Sequence, residues 1–230
     1  MTYQEPTLFG LAYASRLHQQ IDKSSGFNEQ LRCKIVPSRD LELQDRGHGR
    51  ILLEWLNKWG CRITGDAFPK ISDELAKWFQ VWRPKLPRAT VNLVGLGDRD
   101  LDSLEEAYRD LLDISEFGPT SASKTLFAVR PHAAMPWDAA IQKEFGLSGR
   151  APERYRAMLV RSMREGRTLM AEAKRRGWSD SRSGIPTEIG RPKNTLSQLL
   201  DEYHWITITR GYVIPDRDEL ERWIRLATIS

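Results

Sequence analysis

Residues 117–145 read FGPTSASKTLFAVRPHAAMPWDAAIQKEF, and this stretch decides the fold. The segment before it, from Asp102 onward, has apolar residues at helical spacing behind an N-cap pattern. Gly118 and the proline after it interrupt that helix, and a second apolar helix then continues until the chain reaches Pro131. Two helices joined by so short a turn form an αα-hairpin, which we predict over residues 102–130.

The rest of the chain also has mainly helical patterns. Apolar residues repeat at helical spacing with Gly or Pro near the ends, and one polar stretch rich in Ser, Gly and Pro reads as a loop. Two short β-branched runs near the C-terminus predict strands. We therefore predict one mostly α domain over residues 1–230 with a small C-terminal β hairpin. Its remaining elements are helices at 50–59, 73–82, 136–146, 152–176 and 218–227, a loop at 179–194 and strands at 205–209 and 211–214.

Composition is that of a globular protein, with 230 residues of which 40% are hydrophobic and 29% charged. No apolar run is long enough to span a membrane and no signal pattern is present, so we expect a cytoplasmic protein without a membrane partner. The two cysteines and four histidines lack metal-ligand spacing, and we predict neither a metal nor a cofactor. No pattern predicts a protein partner.

The net charge of +4 is concentrated in one stretch. Residues 150–193 contain twelve Lys and Arg against five Asp and Glu, a net +7, so the remaining residues sum to −3. Clustered positive charge indicates a polyanionic partner such as nucleic acid. The region 150–194 consists of a basic helix and a loop, and several arginines lie close together on the surface of that helix. They either contact a phosphate backbone or simply form a helix face exposed to solvent. The candidates are Arg154, Arg161 and Arg164.

The start of the second hairpin helix has the features of a phosphate-binding turn. Backbone N–H groups in the first turn of a helix lack intrahelical partners and can bind an anion. Glycine permits close approach, hydroxyl groups add donors and a lysine adds a cation. The candidate DNA-binding residues are Gly118, Thr120, Ser121, Ser123 and Lys124. The alternative is that the hydroxyl groups only cap the helix.

Asp138 opens the helix predicted at 136–146. An Asp at such a position often serves only as a cap. A capping carboxylate nevertheless has a fixed position, and a fixed carboxylate beside a phosphate anchor suits chemistry on a nucleotide. Tryptophan rings can hold a base, although at helical spacing they also form cores. The candidates for a base pocket are Trp137, Trp55 and Trp59.

This order of helix, tight turn with glycine, helix, short loop and Asp resembles the helix-hairpin-helix (HhH-GPD) DNA glycosylases. In that family the catalytic Asp follows the second hairpin glycine at the same spacing as Asp138 follows Gly118. Two positions differ from the family. Glu116 stands where the first hairpin glycine is usual, and Thr120 stands where bifunctional members carry a Schiff-base lysine. The resemblance implies a glycosylase-like helical bundle.

The amino-acid sequence from Ser121 to Leu126 and from Met135 to Asp138 is similar to the sequences of a divergent branch of that family. Some members of the branch remove glucosylated hydroxymethylcytosine from phage DNA in antiviral defence. The resemblance thus implies a monofunctional glycosylase that flips a modified base out of double-stranded DNA, with Asp138 as the catalytic carboxylate and an abasic site as product. Two alternatives stay open. One is a repair glycosylase for uracil, oxidised or alkylated bases, and the other is a non-catalytic helix-hairpin-helix DNA-binding module.

Overall fold

The architecture consists of α-helices joined by short connections. The computed structural model describes residues 3–22, 26–35, 41–179 and 183–227, with the backbone alone for 223–227. Within these ranges no β-strand forms, and the chain is mostly helical. The helices are α1 (Leu8–Ile21), α2 (Phe27–Lys34), α3 (Arg46–Lys58), α4 (Phe68–Trp82), α5 (Asp98–Leu112), α6 (Pro119–Val129), α7 (Ala139–Glu144), α8 (Ala151–Arg175), α9 (Gly184–Glu188), α10 (Leu196–His204) and α11 (Arg217–Ala227).

The buried apolar side chains pack into one cluster that extends from Leu8 to Ile214. At its centre, the ring of Tyr108 on α5 stacks on the ring of Tyr155 on α8, with centroids 4.3 Å apart. The Tyr155 hydroxyl also donates a hydrogen bond of 3.1 Å to the carbonyl of Met135. The loop that leads into α7 is therefore fixed against the α5–α8 pair. No helix in the described ranges combines the length and apolar character that crossing a bilayer requires.

The two helices of the predicted hairpin are α5 and α6, and they contact each other. The predicted cap at Asp102 is wrong, because α5 begins one turn earlier, at Asp98. The Asp100 carboxylate accepts a hydrogen bond of 3.0 Å from the Gly97 N–H and closes that earlier end. Asp102 instead accepts a hydrogen bond from Arg156 of α8. The capping interaction therefore lies one turn before the predicted one.

Other helix ends follow the predicted signals. Helix α8 ends just before Gly177, whose φ of +74° is the left-handed conformation that glycine adopts without strain. Asp138 is the N-cap of α7, as predicted. The segment predicted as a loop at 179–194 differs, since it contains the short helix α9. Ile185 packs this helix into the core with 1% of its surface exposed.

The predicted C-terminal β hairpin does not form in the described residues. Trp205–Thr209 instead continues α10 as one turn of π-helix. The Thr207 hydroxyl donates a hydrogen bond of 2.8 Å to the Tyr203 carbonyl, and Ile206 is fully buried. Burial of this one side chain in a helical bundle outweighs the preference of β-branched residues for strands. The continuation also carries Thr209 to Asp138.

Candidate active site

Asp138 has both carboxylate oxygens engaged at the start of α7. One oxygen, Oδ1, accepts a hydrogen bond of 2.9 Å from the backbone N–H of Ile141, and Oδ2 accepts one of 2.7 Å from the Thr209 hydroxyl. The side chain is half-buried. Each oxygen retains a further lone pair, because a carboxylate oxygen can accept two hydrogen bonds. The carboxylate therefore has a fixed orientation and free acceptor capacity, so its capping role does not exclude a chemical one.

A buried serine connects the hairpin to the residue before Asp138. The Ser123 hydroxyl donates a hydrogen bond of 3.0 Å to the carbonyl of Thr120 and accepts one of 3.3 Å from the Trp137 N–H. Ser123 is fully buried and Ser121 is 4% exposed. These two hydroxyl groups, predicted as DNA-binding groups, thus face the interior. Ser123 instead fixes α6 relative to Asp138.

Lys124 lies beside this site with its ammonium nitrogen 4.1 Å from the centroid of the Trp59 ring. Burial lowers the pKa of Lys124, and the nearby Asp201, Cys61 and Asp138 oppose that shift. Asp22, at the end of α1, opposes it more weakly. Within the described residues Lys124 makes no direct ion pair. The amine is half-buried, and it makes no side-chain hydrogen bond within the described residues.

Asp201 on α10 is a second carboxyl group of the same cluster. Burial raises its pKa to about 8, with further upward contributions from Asp138 and Glu202 and a downward one from Lys124. The side chain is only partly accessible to solvent. Two carboxyl groups and one amine therefore interact electrostatically here in a partly buried position.

The hairpin turn adopts the backbone that its glycine pattern indicates, although the first glycine is replaced. Glu116 has a φ of +62°, the left-handed region. Its carboxylate accepts two hydrogen bonds of 2.8 Å, from the N–H and the hydroxyl of Thr64, and these bonds lower its pKa. Gly118 is the N-cap of α6, and a Cβ placed there would contact nothing within 4 Å. No side chain caps α6, so the space before its first turn is open to an anion.

The three tryptophans predicted for a base pocket occupy different environments. Trp137 is 1% exposed and packs edge-on against the core rings of Tyr108 and Tyr155. Trp55 is 3% exposed and contacts Trp59 edge-on, with ring centroids 6.0 Å apart. Trp59 alone of the three is partly accessible, and it is the one that lies beside Lys124.

The three arginines predicted to contact DNA on α8 also differ from one another. Arg161 is partly exposed but already engaged, since it donates to Glu165 and lies 4.5 Å and 4.0 Å from the ring centroids of Tyr3 and Phe145. Arg154 is half-buried, and its Nε has no hydrogen-bond partner in the described part of the chain. Arg164 is exposed and makes no ion pair there, which leaves its charge available to a ligand.

Sequence reasoning missed two residues of the cluster, Asp201 and Thr209. Thr209 lies 71 positions from its partner Asp138, in a run that predicted a strand. Asp201 sits within an amphipathic helix, where an acidic residue is typical of a solvated face. No spacing rule connects either residue to Asp138, and their roles follow from how α10 packs. Gly118, Thr120 and Lys124 lie on α6 or at its start, as predicted.

Comparison of the chain with protein-family models, with curated proteins and with solved structures found no match. In the ranges that the structure describes, no group of three or more His, Cys, Asp or Glu side chains is arranged to hold a metal ion.

Proposed function

We propose that this protein is a monofunctional DNA glycosylase, which hydrolyses the N-glycosidic bond of a modified base flipped out of double-stranded DNA. One observation carries the proposal. The carboxylate of Asp138 is half-buried and held by Ile141 and Thr209 at the start of α7, beside the open N-terminus of the hairpin helix α6. A fixed carboxylate next to a potential phosphate anchor is the arrangement that cleavage at a deoxyribose requires.

The chemistry follows from charge. As the bond between C1′ and the base nitrogen breaks, positive charge develops on the sugar, as it does in glycoside hydrolysis. A fixed carboxylate in a partly buried site stabilises that charge and can accept a proton from the attacking water. Asp138 has one free acceptor position on each oxygen for these tasks. The expected product is an abasic site.

The hairpin supports a role in holding the DNA backbone. The first turn of α6 has no side-chain cap, and the open space at Gly118 leaves room for a phosphate. Pro119 removes one amide donor, so Thr120 and the following backbone N–H supply the contact. Arg164 adds an exposed cation on α8. Ser121 and Ser123 are buried and Arg161 is paired with Glu165, so none of the three is assigned a contact with DNA.

We propose a glucosylated hydroxymethylcytosine in phage DNA as the substrate, with antiviral defence as the biological role. Trp59 supplies the accessible aromatic face for a flipped base, and the resemblance of residues 121–138 to the modified-cytosine branch supports the choice. Uracil, oxidised purines and alkylated bases are the competing substrates. The partner in each case is double-stranded DNA, and the expected location is the cytoplasm.

Mass analysis of released bases tests the proposal. Equal amounts of plain, hydroxymethylated and glucosylated phage DNA, and of DNA that contains uracil, oxidised or alkylated bases, are incubated with the protein, and the released small molecules are separated from the polymer and identified. Release of the glucosylated base alone supports the proposed substrate. Release of uracil or of a damaged base would contradict the defence role while keeping the glycosylase activity. Salt-sensitive binding without release of any base would instead favour the non-catalytic DNA-binding module.

A further inference from the structure

A cavity of about 390 Å³ lies against the π-helical turn that carries Thr209. Ile208 of that turn lines it, and so does Glu144 at the C-terminal end of α7. The rest of the lining comes from the N-terminal segment at Tyr3 and from the segment after the π-helical turn, at Tyr212. A cavity of this size holds a small molecule or a bulky substituent of a larger one. The residues assigned to DNA contacts above are not among the described residues that line it.

Two short connections place the cavity beside Asp138. Thr209 follows Ile208 directly and donates a hydrogen bond of 2.7 Å to Oδ2 of Asp138. Asp138 also caps α7, a helix of six residues that ends at Glu144. At a rise of about 1.5 Å per residue, Glu144 lies about 9 Å along that helix from the proposed catalytic carboxylate. The cavity is thus close enough to receive an outer part of a base whose glycosidic bond lies at Asp138.

Hydrogen bonds to the interior fix the walls of the cavity. The Tyr3 hydroxyl donates a hydrogen bond of 2.8 Å to the buried carboxylate of Glu165. The chain turns at Gly211, whose φ is +68°, and the N–H of Tyr212 then donates a hydrogen bond of 3.0 Å to the carbonyl of Ile206. The cavity is therefore formed before any ligand enters, as binding sites for small molecules usually are.

The lining combines apolar surface with polar groups that are free to bind. Ile208, Val213 and the ring of Tyr212 supply the apolar part, and all three are at least partly accessible to solvent. The Glu144 carboxylate and the Gln4 amide supply the polar part, and neither makes a side-chain hydrogen bond with the described residues. A few polar groups on a mainly apolar surface are typical of a small-molecule site.

Charge narrows the class of ligand. Glu144 is the one charged side chain among the described residues that line the cavity. A carboxylate repels a phosphate, so the cavity does not suit the DNA backbone. The carboxylate accepts hydrogen bonds, and the Gln4 amide both donates and accepts them. These groups suit an uncharged ligand that carries several hydroxyl groups.

A hexose has this chemistry, with hydroxyl groups at its rim and C–H groups on its ring faces. We propose that the cavity binds the sugar substituent of the flipped base, with Glu144 and Gln4 bonded to its hydroxyl groups and Tyr212 against a ring face. The inference rests on the proposed function and adds the residues that distinguish a glucosylated base from the same base without its sugar. A site whose polar groups bond a ligand's hydroxyl groups discriminates against the analogue that lacks them.

DNA binding in the Asp138→Asn background, in which base release is slow, tests the inference. Duplexes that differ only in one glucosylated or one unglucosylated hydroxymethylcytosine are titrated with the protein. We expect the glucosylated duplex to bind about tenfold more tightly, the effect of one or two hydrogen bonds. Addition of Glu144→Ala or of Tyr212→Ala is expected to remove most of this preference and to leave the affinity for the unglucosylated duplex unchanged.

Two further variants sharpen the comparison. Glu144→Gln keeps one hydrogen-bond acceptor and is expected to keep part of the preference. Glu219→Ala removes an exposed acidic side chain on α11 that does not line the cavity, so it is the matched control. Glu144 and Tyr212 are exposed, and their replacement is expected to leave folding intact, which unfolding curves check.

A full preference for the glucosylated duplex in both Glu144→Ala and Tyr212→Ala would overturn the inference. Equal binding of the two duplexes by the parent protein would overturn it as well. In either case, release of a base by wild type would keep the proposed function. The proposed function fails separately, if wild type releases no base from any DNA.

Discussion

Two adjacent acidic residues on α10 lie in opposite environments. Glu202 is 2% exposed and accepts hydrogen bonds from the Ser15 hydroxyl at 2.6 Å and from Arg191 at 3.0 Å. Gln198 and Asn194 complete its partners, at 3.1 Å and 3.3 Å. Asp201 is partly accessible and has no side-chain hydrogen bond in the described residues. One helix thus carries a fully bonded carboxylate on one side and an unbonded one on the other.

This difference separates a carboxylate with a structural role from one with free acceptor capacity. The buried carboxylate of Glu202 accepts four hydrogen bonds and thereby connects α1, the loop after α9 and α10. It therefore has little capacity left to bind a ligand. Asp201, which has no side-chain hydrogen bond within the described residues, has no comparable structural task. The same contrast divides the arginines, since Arg191 is enclosed by Glu202 and Ser15 while Arg164 is exposed.

The largest expected effect comes from breaking the bonded carboxylate. Glu202→Gln leaves the charge of Arg191 buried without a counter-charge, and we expect it to lower the free energy of unfolding by roughly 3 kcal/mol. Asp201→Asn is not expected to lower it at neutral pH, because no hydrogen bond is removed and the raised pKa of this carboxyl group already costs stability there. Denaturant unfolding of both variants measures the difference. Equal destabilisation by the two would remove the contrast between these residues.

The next effect concerns the carboxylate with two donors. Thr209→Val removes the hydroxyl that holds Oδ2 of Asp138, and we expect base release to slow roughly tenfold, the equivalent of about 1.4 kcal/mol. Thr207→Val is the matched control, because its hydroxyl bonds the Tyr203 carbonyl in the same turn and does not reach Asp138. Single-turnover rates compare the two. An equal loss in both variants would indicate a change in the π-helical turn.

A smaller effect should appear in the pH dependence of stability. The folded-state pKa of Asp201 is raised above that of the unfolded chain, so its contribution to stability is present below about pH 4 and is lost as pH rises to about 8. We therefore expect the unfolding midpoint of wild type, relative to Asp201→Asn, to fall across this window. Thermal unfolding at a series of pH values measures it. A difference that stays constant with pH would contradict the raised pKa.

The smallest expected effect concerns the exposed cations. Arg164→Gln should weaken DNA binding without a change in stability, and it should reduce the slope of log K against log salt by about one. Arg161→Gln is the comparison on the same helix, because it removes the ion pair with Glu165 at 3.2 Å and should lower stability. Salt titrations of binding together with unfolding curves distinguish the two. An unchanged salt slope in Arg164→Gln would remove this residue from the interface.

The sequence predicted the elements that depend on local signals. The break between α5 and α6, the cap at Asp138 and the end of α8 at Gly177 all follow from residue types at fixed positions. Two predictions were wrong, the start of α5 and the C-terminal strand. Asp100 rather than Asp102 closes the start of α5, and burial of Ile206 turns a predicted strand into a helical turn.

The cluster around Asp138 could be predicted only in part. The hairpin pattern predicts Lys124 as a site residue, and aromatic spacing predicts Trp59. In the structure the ammonium nitrogen of Lys124 lies 4.1 Å from the centroid of the Trp59 ring. Asp201 and Thr209 belong to a distant segment, and their approach to Asp138 depends on how α10 packs, which no local pattern encodes. Trp137 is adjacent to Asp138 in the sequence, which predicts a place in the base pocket. In the structure its side chain is instead buried in the core.

The central claim is that the carboxylate of Asp138 performs chemistry. The direct measurement is base release by Asp138→Asn, which keeps the size and one hydrogen-bond acceptor of the side chain, with DNA binding measured in parallel. We expect release to fall between 100-fold and 1,000-fold, about 2.7–4 kcal/mol of barrier, while binding is unchanged. Release equal to that of wild type would contradict a chemical role for Asp138 and, with it, the proposed glycosylase site.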